Sequence, residues 1–456
     1  MSAALLAIVL LLLVGVPAVL CLDPRLPGGA RLGLGFLFGG GIVSLLLAGL
    51  SAAGFPWSLW NFAFLAAPIV ALLLAVVAKR RGRPAVGWDV PPAGGSRLLA
   101  SLPDLLTGVC VAGHGIYASL APLGQWDFWT VWGLKAKAFW LHRGIDWRFL
   151  ESAENLFAHP DYPLLLPLLL DFFAMVAGTW EDRWIGLLFT AYAVALLLVT
   201  RELLREELGS RTLASVGTLA LAGPALVIWI GLAEGPLIAY GSLGLLMIRR
   251  GLRRRHPASW AMGACLLGFG ALTKNEGVTL LIAAAAGLLL DSPESRRNIF
   301  RLWPAALLSA SWLVPRHWHG LSTDVFVGSA WTRVLGHLRN PVPFWNALTQ
   351  NLPDRPVLWI FVLLALVFLG RRTARKEIFV LATALLQIVF YLVVYISSPH
   401  DLVWHFRTSW ARLLTQQLFP LAFLAVAGLL RAVSIGSRPP ESALAAAGCG
   451  ERTERT

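Results

Sequence analysis

Charge is scarce in this chain: Asp, Glu, Lys and Arg make up 14% of its 456 residues, while 57% are hydrophobic. Soluble globular proteins carry about a quarter of their residues as charges, so that class is excluded. Period-two alternation is missing from the Leu/Ala/Val/Ile blocks, which excludes a transmembrane β-barrel. Cysteine is sparse as well. Cys21, Cys110, Cys265 and Cys449 form no CxxC pair, and three of them lie in apolar runs, so neither a disulfide framework nor a zinc site is indicated. The N-terminus is apolar from Ala3 without the basic opening of a cleaved signal peptide, and is expected to be a retained first span.

What is present is a repeated apolar run, each copy about twenty residues long and suited to the hydrocarbon core of a bilayer. Fourteen candidate spans follow: 3–21, 32–53, 58–78, 98–118, 162–180, 184–200, 212–231, 235–248, 258–273, 277–290, 302–315, 356–370, 378–396 and 413–431. The expected fold is an all-α polytopic helical bundle of roughly 12–14 transmembrane segments. Three regions are expected: N-terminal helices and a linker at 1–97, a membrane module at 98–431, and a disordered cytoplasmic tail at 432–456.

The net charge of +13 would suit nucleic acid if it covered one soluble face. Instead the basic residues cluster at the ends of apolar runs: Lys79 to Arg83, Arg249 to Arg255, Arg296 to Arg301, and Arg371 to Lys376. That is the pattern of cytoplasmic loops, and nucleic acid is set aside as a partner. With those clusters inside, the turn Thr273–Gly277, the stretches 316–355 and 398–412, and the loop 119–161 all face out. The count between residues 160 and 249 has the wrong parity unless 162–180 lies partly in the interface or the Arg201–Arg211 turn faces out. Pro163, Pro167 and Asp171 make 162–180 the weaker span, and that choice also brings Glu234 to the outer face.

The first outer loop concentrates Trp126, Trp129, Trp132, Trp140 and Trp147 with Asp127, Lys135, Lys137, His159 and Asp161. An aromatic belt accounts for the tryptophans but not for the ionisable groups. Residues 126–141 repeat Trp and Ala at helical spacing, so an interfacial helix is predicted there. On such a helix Lys135 and Lys137 fall about 80° to either side of Asp127. Asp127 would then face a substrate hydroxyl while the two ammonium groups reach toward a lipid phosphate; the plainer reading is an amphipathic helix with solvated charges. His159, Asp161 and Tyr162 form a second substrate-contact candidate, although prolines opening a helix after a capping Asp would look the same. Glu234 and Glu276 stand at outer helix ends, and His405, Arg407, Ser409 and Arg412 form a polar group before the last span. Arg412 is suited to a phosphate or pyrophosphate. Asp104, His114, Asp171 and Gln387 are ionisable or polar groups within apolar runs.

The run WDFWTVWGLKAKAFW, then HPDYPLLLPLL, LAEGPLIAYGSLGLL, ALTKNEG and SSPHDLVWHFRTSWARLLTQQLFPL, resembles bacterial polytopic glycosyltransferases of the GT-C type. These are relatives of the dolichyl-phosphate-mannose protein mannosyltransferases and lipid A aminoarabinose transferase. The resemblance covers about residues 98–431 and implies an active site on the outer face of the bacterial cytoplasmic membrane. It also implies inverting transfer of a sugar from a polyprenyl-phosphate donor to a hydroxyl on a glycan, lipid or protein acceptor. Under it Asp127 matches the catalytic base and Lys274 the lysine that meets phosphate, with Lys135 and Lys137 next in line. The protein mannosyltransferases carry an Asp-Glu pair in this loop, whereas Phe128 follows Asp127 here. No cofactor is required by these residues, and a divalent metal is left open.

Two readings of other classes compete. A transporter or flippase for a lipid-linked sugar would place charge at mid-membrane on broken helices and show internal repeats. A non-catalytic assembly protein would tolerate loss of the loop charges. Charge gathered on one face without a repeat favours the enzyme.

Overall fold

The structure, a computed structural model, describes residues 2–80, 88, 97–121, 123–226, 230–323, 329–351, 356–368 and 370–436. Of the tail expected at 432–456, residues 432–436 continue the last helix instead of being disordered, while 437–456, Cys449 and Arg81 to Arg83 lie outside the described residues. Every regular element among the described residues is helical. Among the described residues six stretches are long and apolar enough to cross a membrane, which makes this a multi-pass helical membrane protein.

The chain opens with α1 (Ser2–Leu22), α2 (Gly28–Ala52), α3 (Leu59–Arg80) and α4 (Arg97–Leu120). Helix α2 is glycine-rich because it is buried on nearly all sides. A Cβ on Gly15 of α1 would sit 1.8 Å from the Gly35 carbonyl oxygen, and one on Gly39 would sit 2.0 Å from that of Leu11. Small residues let these two backbones touch, which maximises dispersion where no hydrophobic effect drives association. Helix α3 is the opposite case: Trp60 and Phe64 are each 86% exposed, as suits side chains that meet lipid.

The outer loop holds one π-helical turn (Phe128–Trp132), α5 (Gly133–His142), α6 (Trp147–Glu151) and a 3₁₀ turn (Ala153–Ala158). Helix α7 (Leu165–Ala177) and the short α8 (Asp182–Ile185) lead to α9 (Leu187–Leu208) and α10 (Arg211–Leu226). With 13 residues, α7 is about 20 Å long, short of the roughly 30 Å bilayer core. Its first residue donates its N–H to the Leu272 carbonyl, and the chain just beyond it packs Gly186 against Ala118 at the far end of α4. Both contacts lie at the loop end of the bundle. Segment 162–180 therefore starts and ends at the loop end, the arrangement in which it lies partly in the interface.

Then follow α11 (Glu234–Arg254), α12 (Pro257–Ala271), α13 (Asn275–Asp291), α14 (Pro293–Arg297) and α15 (Trp303–Trp318). The last part has α16 (Ala330–Arg339), α17 (Val342–Gln350), α18 (Pro356–Phe368), α19 (Gly370–Lys376), α20 (Ile378–Ser397) and α21 (Leu402–Gly436). Several predicted spans are short helices: α12, α13 and α15 have 15, 17 and 16 residues. Helix α12 is buried among its neighbours, whereas α13 exposes Ile282 and Leu290 and α15 exposes Trp303, Leu307 and Trp318.

The basic clusters gather at the other end. Arg249 meets Glu207 at 2.9 Å and Glu377 at 2.6 Å, Arg250 meets Glu206 at 2.7 Å, and Arg431 meets Glu207 at 2.7 Å. Arg80 donates to the Cys21 carbonyl, His256 lies 3.7 Å from Asp23, and Arg255 lies 3.4 Å from Glu294. One end of the bundle thus carries arginine paired with glutamate, and the other carries the loops and the residues considered next.

Candidate functional site

Four separate elements deliver charge to the loop end. Asp127 precedes the π-helical turn, Glu234 is the first residue of α11, Lys274 and Glu276 flank the start of α13, and Arg412 lies three turns into α21. The carboxylates at the openings of α11 and α13 are favoured there by the exposed N–H groups of a helix N-terminus. Lys274 is extended (φ −157°, ψ 154°), so the chain breaks between α12 and α13 and turns its side chain inward. Gly277 makes that turn tight enough. A Cβ there would fall 2.1 Å from the Gly270 carbonyl oxygen.

These side chains form one line. Arg412 Nη1 donates to Asp127 Oδ2 at 2.5 Å and lies 3.7 Å from Glu234 Oε1. Lys274 Nζ lies 3.0 Å from the same Glu234 oxygen and 2.9 Å from Glu276 Oε1. Three carboxylates alternate with two cations, leaving one net negative charge. Glu234 and Lys274 are buried, whereas the Asp127 side chain is 32% exposed, so the line runs from the interior to an open end. Burial opposes the Lys274 charge, but Glu234 and Glu276 outweigh it and hold the ammonium above its ordinary range. Asp127 makes no helix-capping hydrogen bond, so its carboxylate is committed to Arg412 rather than to the backbone.

A second cluster lies against the first. Asn275 donates to Asp161 Oδ2 at 2.8 Å, Arg316 approaches the same oxygen at 3.8 Å, and the Trp312 indole donates to the Asp161 carbonyl at 3.1 Å. Burial raises the Asp161 carboxyl, opposed by Arg316, Asn275, His159 and Lys135. Asp161 does not cap α7, which begins after Leu164, so the capping alternative for the His159–Tyr162 segment does not apply.

Lys135 departs from its expected place. The π-helical turn puts an extra residue into the winding between Asp127 and α5, so the 80° arithmetic of a regular helix fails. Lys135 is fully buried, donates to the His159 carbonyl at 2.8 Å, and stands 5.1 Å from the Trp132 ring centre and 5.6 Å from that of Tyr162. Burial lowers its ammonium to about 7, with Asp161 resisting. His159 stacks on Tyr162 at 4.7 Å and Tyr162 on Trp132 at 5.5 Å, so these rings build the interior of the loop. Lys137 is exposed. The two lysines therefore do not flank Asp127 as the spacing predicted.

His405 packs on Tyr395 at 4.6 Å, and the Tyr395 hydroxyl bonds Ser409 Oγ at 2.7 Å. Gln387 donates to Thr279 Oγ1 at 2.9 Å and to the Glu276 carbonyl at 3.1 Å, bracing the start of α13. Asp104 is elsewhere, accepting from Nε and Nη2 of Arg201 at 3.1 and 2.7 Å, and His114 Nδ1 meets Thr190 Oγ1 at 2.9 Å. Asn275 and Arg316 were not anticipated as contributors; a signal was present only for Asn275, inside the TKNEG turn. Among the described residues no three His, Cys, Asp or Glu side chains gather in a way that would hold a metal ion.

The arrangement can hold a phosphate, by way of Arg412 and Lys274, next to a carboxylate able to accept a proton. Comparison with family models, characterised proteins and solved structures finds no match for this chain.

Proposed function

We propose that this protein is an inverting glycosyltransferase of the cytoplasmic membrane of a bacterium. It moves a sugar from a polyprenyl-phosphate donor to an acceptor hydroxyl at the outer face, the loop end of the bundle. The observation that carries this reading is the sharing of one guanidinium: Arg412 bonds Asp127 and sits beside Glu234. An incoming donor phosphate competes with Asp127 for Arg412, since guanidinium binds phosphate with paired donors. Glu234 keeps the guanidinium oriented while Asp127 is released beside the reacting carbon.

The acceptor oxygen then attacks the anomeric carbon, and its O–H proton passes to the Asp127 carboxylate. The bond from the anomeric carbon to the phosphate oxygen breaks, and its electron pair stays with the polyprenyl phosphate. That group gains negative charge, which Arg412 and Lys274 stabilise in a water-poor site. A multi-pass bundle also suits a substrate whose carrier remains in the bilayer.

The test is transfer from a labelled polyprenyl-phosphate sugar by purified protein. Asp127→Asn keeps the shape and a hydrogen bond to Arg412 but accepts no proton, so transfer falls about 10²–10⁴-fold. Transfer at the wild-type rate in this variant rules the base assignment out.

A further inference from the structure

Helix α7 carries a group that the proposed reaction does not use. Asp171 is 1% exposed, and neither carboxylate oxygen has a hydrogen-bond partner among the described residues. It lines a cavity of about 430 Å³ at the loop end, between the outer ends of α2 and α3 and the far ends of α5 and α7. Asp171, Met175 and Gly178 follow the four- and three-residue steps of one helix face, and all three form its wall. Trp57, Trp140 and Ser58 line it too, and Arg143, which is exposed, stands at its mouth.

We propose that this cavity binds the headgroup of an amine-bearing phospholipid, with its ammonium on Asp171 and its phosphate on Arg143. Burial without a donor pushes the Asp171 carboxyl well above its ordinary range, and a ligand that supplies N–H donors and a positive charge lets it ionise in place. A primary ammonium brings three N–H groups and the complementary charge. Trp57 and Trp140 add aromatic walls, which attract cations. The opposite signs, acid buried and guanidinium at the mouth, match a zwitterion rather than a polyol, which needs several polar partners around its ring. The remaining wall is mostly aliphatic, with Leu47, Leu59 and Met175. Beyond Leu59, the exposed Trp60 and Phe64 of α3 offer an apolar track for acyl chains.

The experiment compares the full-length protein in nanodiscs of phosphatidylcholine alone or with added phosphatidylethanolamine or phosphatidylglycerol. Phosphatidylethanolamine is expected to raise the wild-type unfolding midpoint by roughly 2–4 °C over both other lipids. Asp171→Asn removes that increment, and Arg143→Gln reduces it. Native mass spectrometry of the wild type adds a reading independent of any variant: phosphatidylethanolamine is retained over phosphatidylglycerol. Equal midpoints and equal retention in all lipids overturn the proposal. So does an increment from phosphatidylglycerol that Asp171→Asn abolishes, which assigns the cavity to hydroxyl groups. An Asp171→Asn protein that keeps its phosphatidylethanolamine increment overturns it as well.

Discussion

Asp127 and Arg412 are 285 positions apart in the chain and share a direct hydrogen bond, which ties the first outer loop to the last membrane helix. If the guanidinium exchanges this carboxylate for a donor phosphate, Arg412→Gln should act chiefly on donor use. The expected result is a 10–100-fold fall in kcat/KM for the lipid-phosphate donor, the value of a lost charge-assisted bond. Arg412→Lys should recover only part of it, because an ammonium lacks the paired donors. Steady-state kinetics with varied donor concentration measure both.

Lys274 sits buried between Glu234 and Glu276. Lys274→Met leaves two carboxylates facing each other, with only Arg412 near one of them, and should destabilise the protein by about 3 kcal/mol. Adding Glu234→Gln to Lys274→Met should cost less than the sum of the two single changes, since the partners act as a unit. Thermal unfolding in one detergent checks it; strict additivity would show the pair to be uncoupled.

The Lys135 ammonium is lowered to about 7 by burial, against an ordinary value near 10.5. Between those two pH values the unfolded chain binds a proton that the folded one has released, so stability rises with pH there. As pH falls toward 7 that gain is lost. Lys135→Met should flatten the rise, and the comparison of midpoints for the two proteins from pH 7 to pH 10 isolates this group. Parallel curves would count against the lowered value.

Gly277 lets α13 start against the end of α12. Gly277→Val should push Lys274 out of its place between the two glutamates and lower transfer strongly, while helix content by circular dichroism changes little. Retention of full activity would mean that this turn does not position Lys274.

Single cysteines at Trp126 and Asn275 should react with an impermeant reagent in intact cells, and one at Arg375 only after permeabilisation. The expectation follows from their placement at opposite ends of the bundle, with the arginine end inside. Reaction of Asn275 only after permeabilisation would invert the orientation.

The helical bundle was legible because apolar runs and basic ends are statements about solvent, readable residue by residue. That Asp127, Glu234, Lys274, Glu276 and Arg412 share one side was legible for the same reason, since all five stand in the outer loop or near the outer ends of apolar runs; which of them pair was not. Lys135 was misplaced because spacing arguments assume a uniform winding, and nothing in FWTVW announces a wider turn. Asp161 with Asn275 and Arg316 was hidden because the three come from a loop and two helices far apart in the chain. Asp171 was visible as an acid in an apolar run, but its cavity depends on how four helix ends fail to fill space.

The wide turn at Phe128–Trp132 makes the loop sensitive to length rather than composition. A further residue inserted there would have no second wide turn to absorb it and would swing everything downstream by about 100° around the axis. Lys135 would leave its aromatic nest for solvent, and the carbonyl of His159 would lose its donor. A frame of this kind tolerates many side-chain exchanges and almost no change in residue count.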